Sequence, residues 1–139
     1  MDKPKIFDNT IMIPSSQDFL PDVDVFLEGV LRGFGIDESI IADIAISVSE
    51  LVNNAIFHGN KTVRDKPIAV KINKKKGAVE ITVIDEGNGF DINTVENPID
   101  DDNLLKEVGR GLFIVRSLMD SLSLKTSESG TSVIITKNI

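Results

Sequence analysis

Two short apolar alternations constrain this chain more than any other feature. Ile68, Val70 and Ile72 alternate with Ala69, Lys71 and Asn73, and Val79, Ile81 and Val83 alternate with Glu80, Thr82 and Ile84. Period-two patterning puts one set of side chains on one face of a sheet. The two runs flank Lys74-Lys75-Lys76-Gly77, so they predict an antiparallel hairpin with a face that must be covered. The cover lies upstream. Phe19, Leu20, Val23, Phe26, Leu27, Val30 and Leu31 recur at helical spacing, with Pro21 in the first turn and Gly33 and Gly35 at the end. Asp37 is placed to cap a second helix through about His58, and Gly59 to stop it.

The remaining elements complete a pattern. Residues 5–13 read as a first strand ending at Pro14. From Phe90 to Val108 periodicity fails, and Asp91, Glu96, Asp100, Asp101, Asp102 and Glu107 stand against the single Lys106. A stretch of that length without a pattern predicts a lid, a binding loop or a disordered piece over about 90–108, with Asp100-Asp101-Asp102 read as solvated. Order returns at Gly109, where Leu112, Val115, Leu118, Met119 and Leu122 fit a helix, and residues 121–127 and 131–137 fit a closing strand pair. This order lacks the strict alternation of a parallel βαβ fold. It predicts an α/β (α+β) two-layer sandwich, with helices on one face of a mixed, mainly antiparallel sheet. At 139 residues, one domain spanning 1–139 is expected.

Composition removes several chemistries. The chain has no cysteine and one histidine, so thiolate metal sites, a Cys nucleophile and a two-histidine zinc site are excluded. A net charge of −7 repels a phosphate backbone, and no nucleic-acid partner is expected. The lysine run reads as a solvated hairpin turn. No apolar run approaches the ~18 residues of a membrane span, and the N-terminal MDKPKIFDNT has no apolar stretch of a signal peptide. The expectation is a cytoplasmic protein with no membrane partner. Gly59-Asn60-Lys61-Thr62 resembles the tail of a P-loop without its glycines, Gly109-Arg110-Gly111 meets Ile114 where GxGxxG needs glycine, and no GxSxG elbow exists.

What remains is a helix stripe and two glycine pairs. Glu50, Asn54 and His58 fall four apart in SELVNNAIFHGN, on one face of a strongly apolar helix. Asp85 ends a strand in VIDEGNGF, just before Gly87 and Gly89, and Gly109 and Gly111 open the last helix in EVGRGLFIV. Glycine lets backbone approach a ligand closely, and a helix start offers unpaired N–H groups to phosphate. Alone, each pair reads as an ordinary turn, and the stripe as a solvent-facing one. Their succession in one chain is harder to assign to turns.

ELVNNAIFHG, DEGNGFD, GRGLFIVRSLMD and GTSV resemble the asparagine box and successive glycine boxes of the GHKL ATPases, the superfamily of gyrase, heat-shock 90 chaperones, histidine kinases and MutL. The likeness is closest to the free-standing bacterial anti-sigma factor serine/threonine kinases and covers nearly the whole chain. It implies the Bergerat fold and an ATP-dependent protein serine/threonine kinase. On this resemblance Glu50 is the general base and Asn54 holds Mg²⁺ against the phosphates of ATP. Asp85 accepts from the adenine amino group, supported by Thr131, while Gly87 and Gly89 pass beside the base. Gly109, Gly111 and Leu112 belong to the phosphate-binding box, with Lys106 or Arg110 as a cation near the terminal phosphate. His58 is read as a helix-end residue whose imidazolium suits the dipole.

The partners implied are a STAS-type anti-sigma antagonist, which is phosphorylated, and a sigma factor, which is bound, with the kinase acting as a homodimer. One departure bears on the partner: Val23-Asp24 stands where many relatives carry a valine–arginine pair that grips the sigma factor. Two other readings stay open. One is a switch kinase that phosphorylates a STAS scaffold without binding a sigma factor. The other is a nucleotide-gated binding module that transfers no phosphate, against which Glu50 argues.

Overall fold

The computed structural model describes residues 2–62, 65–87 and 102–139, with side chains of the last span from residue 110 onward. Strands β1 (Lys5–Phe7) and β2 (Thr10–Ile13) lead into helices α1 (Leu20–Gly33) and α2 (Glu38–Asn54), the latter continued by a π-helical turn, Ala55–Gly59. Strands β3 (Ile68–Lys75) and β4 (Ala78–Asp85) follow, then helix α3 (Asp102–Leu118) and strands β5 (Ser121–Ser127) and β6 (Gly130–Asn138). The six strands form one sheet in the order β1-β2-β3-β4-β6-β5, antiparallel at every pairing.

The alternation that predicted the hairpin also builds the core. Registers Ile11↔Val70, Val70↔Val83 and Val83↔Val133 align one apolar row across four strands, and Ile72↔Ile81↔Ile135 align another. These rows are buried beneath Leu27 and Leu31 of α1, Ile44, Val48 and Val52 of α2, and Leu112 and Val115 of α3. Burying each such side chain is worth ~1.5–3 kcal/mol, so the helix-covered face holds the layers together. The expected two-layer arrangement is what the chain adopts.

Three expected boundaries differ. The first strand is a hairpin: Phe7 pairs with Thr10 across Asp8-Asn9, and Asp8 takes the left-handed conformation (φ 52°) that such a tight turn requires. The second helix does not stay α-helical to His58. Asn60 N–H donates to Ala55 O at 2.7 Å, a five-residue spacing that widens the last turn and turns Ala55, Ile56 and Gly59 inward together. The last helix begins at Asp102 instead of Gly109, so residues 102–108 of the expected lid are helical. The acidic composition of the segment had obscured this earlier start. Residues 90–101 of that lid lie outside the described residues.

Between α1 and α2 the glycine signal acts as expected, whereas Asp37 stands at the N-cap of α2 without a side-chain capping bond, its Oδ2 accepting from Ser39 Oγ at 2.5 Å. Gly35 is left-handed (φ 76°), its N–H donates to Arg32 O at 2.9 Å, and Ile36 N–H donates to Leu31 O at 3.2 Å. This crossed pair ends α1 and aims the chain into α2. The continuous helix Glu38–Gly59 has 22 residues and contains an 18-residue stretch of mean hydropathy 1.5, enough by length and composition to cross a bilayer. Here it is the central helix of the helical layer, packed against the sheet and α3.

Candidate functional site

Helix α2 supplies one wall of a cleft of about 360 Å³ with Glu50, Asn53 and Asn54; the π turn adds Phe57 and His58, and α3 closes it with Arg110, Gly111 and Ile114. Glu50, Asn54 and His58 therefore share one wall. The last of them lines the cleft from the end of the helix, where the dipole favours a cation.

Gly111 fixes how near α3 approaches. A Cβ at this position would lie 3.1 Å from Glu50 Oε2 and 3.3 Å from Asn54 Nδ2. The sequence placed Gly109 and Gly111 at a helix start; the structure places both inside α3, past its first turn. Their N–H groups are therefore not the free donors of a helix N-terminus, and the contribution of Gly111 is its missing side chain. Arg110 is exposed on the cleft rim, whereas the Leu112 side chain is 2% exposed and belongs to the core. Gly109 and Lys106 fall within α3, where side chains lie outside the described residues, as does Gly89.

Asn54 has a polar group free to take a ligand. Its Nδ2 is buried and has no hydrogen-bond partner among the described residues. Leaving such a group unsatisfied costs ~1–3 kcal/mol. A carboxamide turned by 180° presents Oδ1 instead, so this side chain can meet a phosphate oxygen or a hard cation. No cluster of three His, Asp or Glu side chains able to hold a metal occurs among the described residues. A cation beside Asn54 would share oxygens brought by its ligand, which is how Mg²⁺ binds nucleotides.

A second polar station lies at the end of β4. The alternation that buries Val79, Ile81 and Val83 carries Asp85 to the same covered face, where it is 7% exposed. Its Oδ1 accepts from Gly87 N–H at 2.9 Å. Burial raises the Asp85 pKa above the ordinary carboxylate range, and the backbone N–H groups of Gly87 and Thr131 and the charge of Lys66 pull it partly back. Thr131, the register partner of Asp85, is 2% exposed, and its Oγ1 has no partner among the described residues. An acceptor carboxylate beside an orphan hydroxyl has the chemistry to pair with a group that carries its own donor and acceptor.

Sequence reasoning undervalued Gly59. A Cβ there would fall 2.3 Å from Asp85 Oδ2, and one on Gly87 would fall 1.7 Å from Gly59 O. Gly59 is therefore a packing requirement of the Asp85 station as well as a helix end. A glycine directly behind the ExxxNxxxH stripe was the available signal.

Residues 13–137 match the family model of the histidine kinase-like ATPase domain. The serine-protein kinase RsbW of Listeria innocua is 30% identical over 136 residues, covering 94% of this chain and 86% of that protein. The serine-protein kinase RsbW of Staphylococcus aureus is 32% identical over 134 residues, covering 91% and 84%. Among solved structures, the RsbU and RsbW domains of a Mycobacterium tuberculosis protein superpose with a TM-score of 0.65 at 22% identity, over 94% of this chain and 32% of that one. The mycobacterial sensor histidine kinase MprB superposes with a TM-score of 0.55 at 15% identity, over 92% and 98%. At these identities the structural matches speak for the fold.

Proposed function

The chain belongs to the histidine kinase-like ATPase domain family and is a protein serine/threonine kinase that uses ATP, and we propose that it works in a partner switch, phosphorylating a STAS-type antagonist and binding a sigma factor. One observation carries the catalytic part: Glu50 and the orphaned amide of Asn54 sit one helical turn apart in one cleft, facing a glycine.

Each residue then has a chemical task. Asn54 would hold Mg²⁺, whose chemistry there would be to neutralise charge on the phosphates. Asp85 takes a hydrogen bond from the adenine amino group, and Thr131 Oγ1 serves the same edge. Gly87 and Gly59 leave room for that station, and Arg110 offers positive charge at the rim. Glu50 accepts the proton of the acceptor hydroxyl as its oxygen bonds to the terminal phosphorus and the bond to the leaving ADP oxygen breaks. A positioned base of this kind contributes ~10²–10⁴-fold.

Glu50→Gln tests the assignment. With Mg-ATP and a STAS protein encoded nearby, the wild type transfers labelled phosphate, and Glu50→Gln retains nucleotide while losing transfer. Asn54→Ala weakens Mg-ATP retention as well. Normal transfer by Glu50→Gln would remove Glu50 from the role of base. A wild type that binds ATP and labels no STAS protein favours a nucleotide-gated binding module.

A second reading, a switch kinase acting on a STAS scaffold without a sigma factor, draws on Asp24. With Glu28, Ala45, Ile46, Ser49 and Glu50, Asp24 lines a groove of about 310 Å³ between α1 and α2. Burial and the neighbouring charge of Glu28 raise its pKa. The groove beside the base is lined by Asp24, Glu28 and Glu50, where many of the resembled kinases carry an arginine at the position of Asp24. Adding a sigma factor to the same mixture separates the readings: retention on the kinase supports the anti-sigma role, and its absence the switch kinase. The cytoplasm is the compartment proposed, and a homodimer the working state.

A further inference from the structure

Asn60 follows the π turn and is 1% exposed. Its Nδ2 donates to Ser15 Oγ at 2.8 Å, Lys66 O at 2.9 Å and Pro67 O at 3.2 Å, and its Oδ1 accepts from Glu86 N–H at 2.8 Å. Carbonyls accept only and an N–H donates only, so this carboxamide has one workable orientation. Ser15 Oγ in turn donates to Lys66 O at 2.5 Å. One side chain therefore ties the end of the helix, the segment after β2, the approach to β3 and the turn after β4. The two residues that follow it, Lys61 and Thr62, are left-handed at φ 52° and 58°, a conformation that surrounding contacts must enforce.

The bond to Glu86 has a functional direction. Glu86 lies between Asp85 and Gly87, and the Gly87 N–H orients the Asp85 carboxylate. Gly59, the preceding residue, lies so close to Asp85 and Gly87 that a Cβ on it would meet Asp85 Oδ2 and one on Gly87 would meet Gly59 O. Residues 59 and 60 thus both pack on the turn that aims Asp85. We propose that Asn60 is a positioning residue for base recognition: it touches no nucleotide and sets selectivity for the adenine amino group by fixing the 85–87 turn. The inference rests on the reading of Asp85 as the group that meets adenine.

Inosine triphosphate, which has an oxo group where ATP has the amino group, separates positioning from stability. Wild-type protein is expected to bind ATP more tightly than inosine triphosphate. In Asn60→Ala, ATP affinity should fall about tenfold while inosine triphosphate affinity stays within about twofold, since the loss of a hydrogen bond to a fixed group falls on ATP alone. A folded Asn60→Ala with the wild-type affinity ratio overturns the proposal. Should that variant fail to fold, Ser15→Ala removes one of the partners of the amide. A ratio lowered about two- to threefold then supports the proposal, and an unchanged ratio overturns it. A wild type that binds both nucleotides equally removes the Asp85 reading and this inference with it, an outcome distinct from failure of Asn60 alone.

Discussion

Asp85 puts two opposite pH dependences in one side chain. Burial raises its pKa in the folded state, so the ionised form costs stability. That contribution is most favourable below the ordinary carboxylate range and is lost as pH rises through the raised value. The adenine recognition proposed for Asp85 would run the other way, because the ionised carboxylate is the better acceptor, so nucleotide affinity should rise over the same interval. Asp85→Asn should raise the Tm of the nucleotide-free protein at neutral pH and weaken ATP by about tenfold or more. Thermal melts and ATP titrations read the two effects, and unchanged ATP affinity would sink the recognition role. The spacing of Glu50 and Asn54 and the strand-end position of Asp85 were legible in the sequence. The contacts of Gly59 and Asn60 were not, because both join segments distant in the chain.

At the scale of elements, α3 departs most from sequence expectation. Glycine is a poor helix former, so GRG read as a beginning, yet α3 runs through it from Asp102. The interior glycine is retained where a methyl group would meet Glu50. Gly111→Ala should therefore stabilise the helix by roughly 0.5–1 kcal/mol while slowing phosphoryl transfer about tenfold through a displaced Glu50. Denaturant unfolding and initial transfer rates measure the two, and a stabilised variant with full transfer would contradict the packing account. The π turn was equally hidden. Helical spacing predicted helix through His58, but a period of 3.6 cannot show where the hydrogen bonds shift from four residues apart to five. The Schellman ending at Gly35 was legible because its signal is local.

For the whole molecule, period-two and helical patterning were enough to give the layers and the covered face, since both follow from where apolar side chains must go. Strand order was not readable that way. The sheet places β2 beside β3, so Ile13 pairs with Ile68 across both helices, whereas β3 meets β4 through Lys76-Gly77 alone. Loop closure makes these pairings unequal in folding. The hairpins β3–β4 and β5–β6 can form early, and β1–β2 can seat only after the intervening helices have docked. β1 brings little to hold it, with its three residues exposed at the sheet edge. Native-state hydrogen exchange should release β1–β2 amides at lower opening free energy than those of β3, β4 and β6. Uniform protection across the sheet would contradict this order. The N-terminal hairpin is then the last piece to assemble and the first to let go.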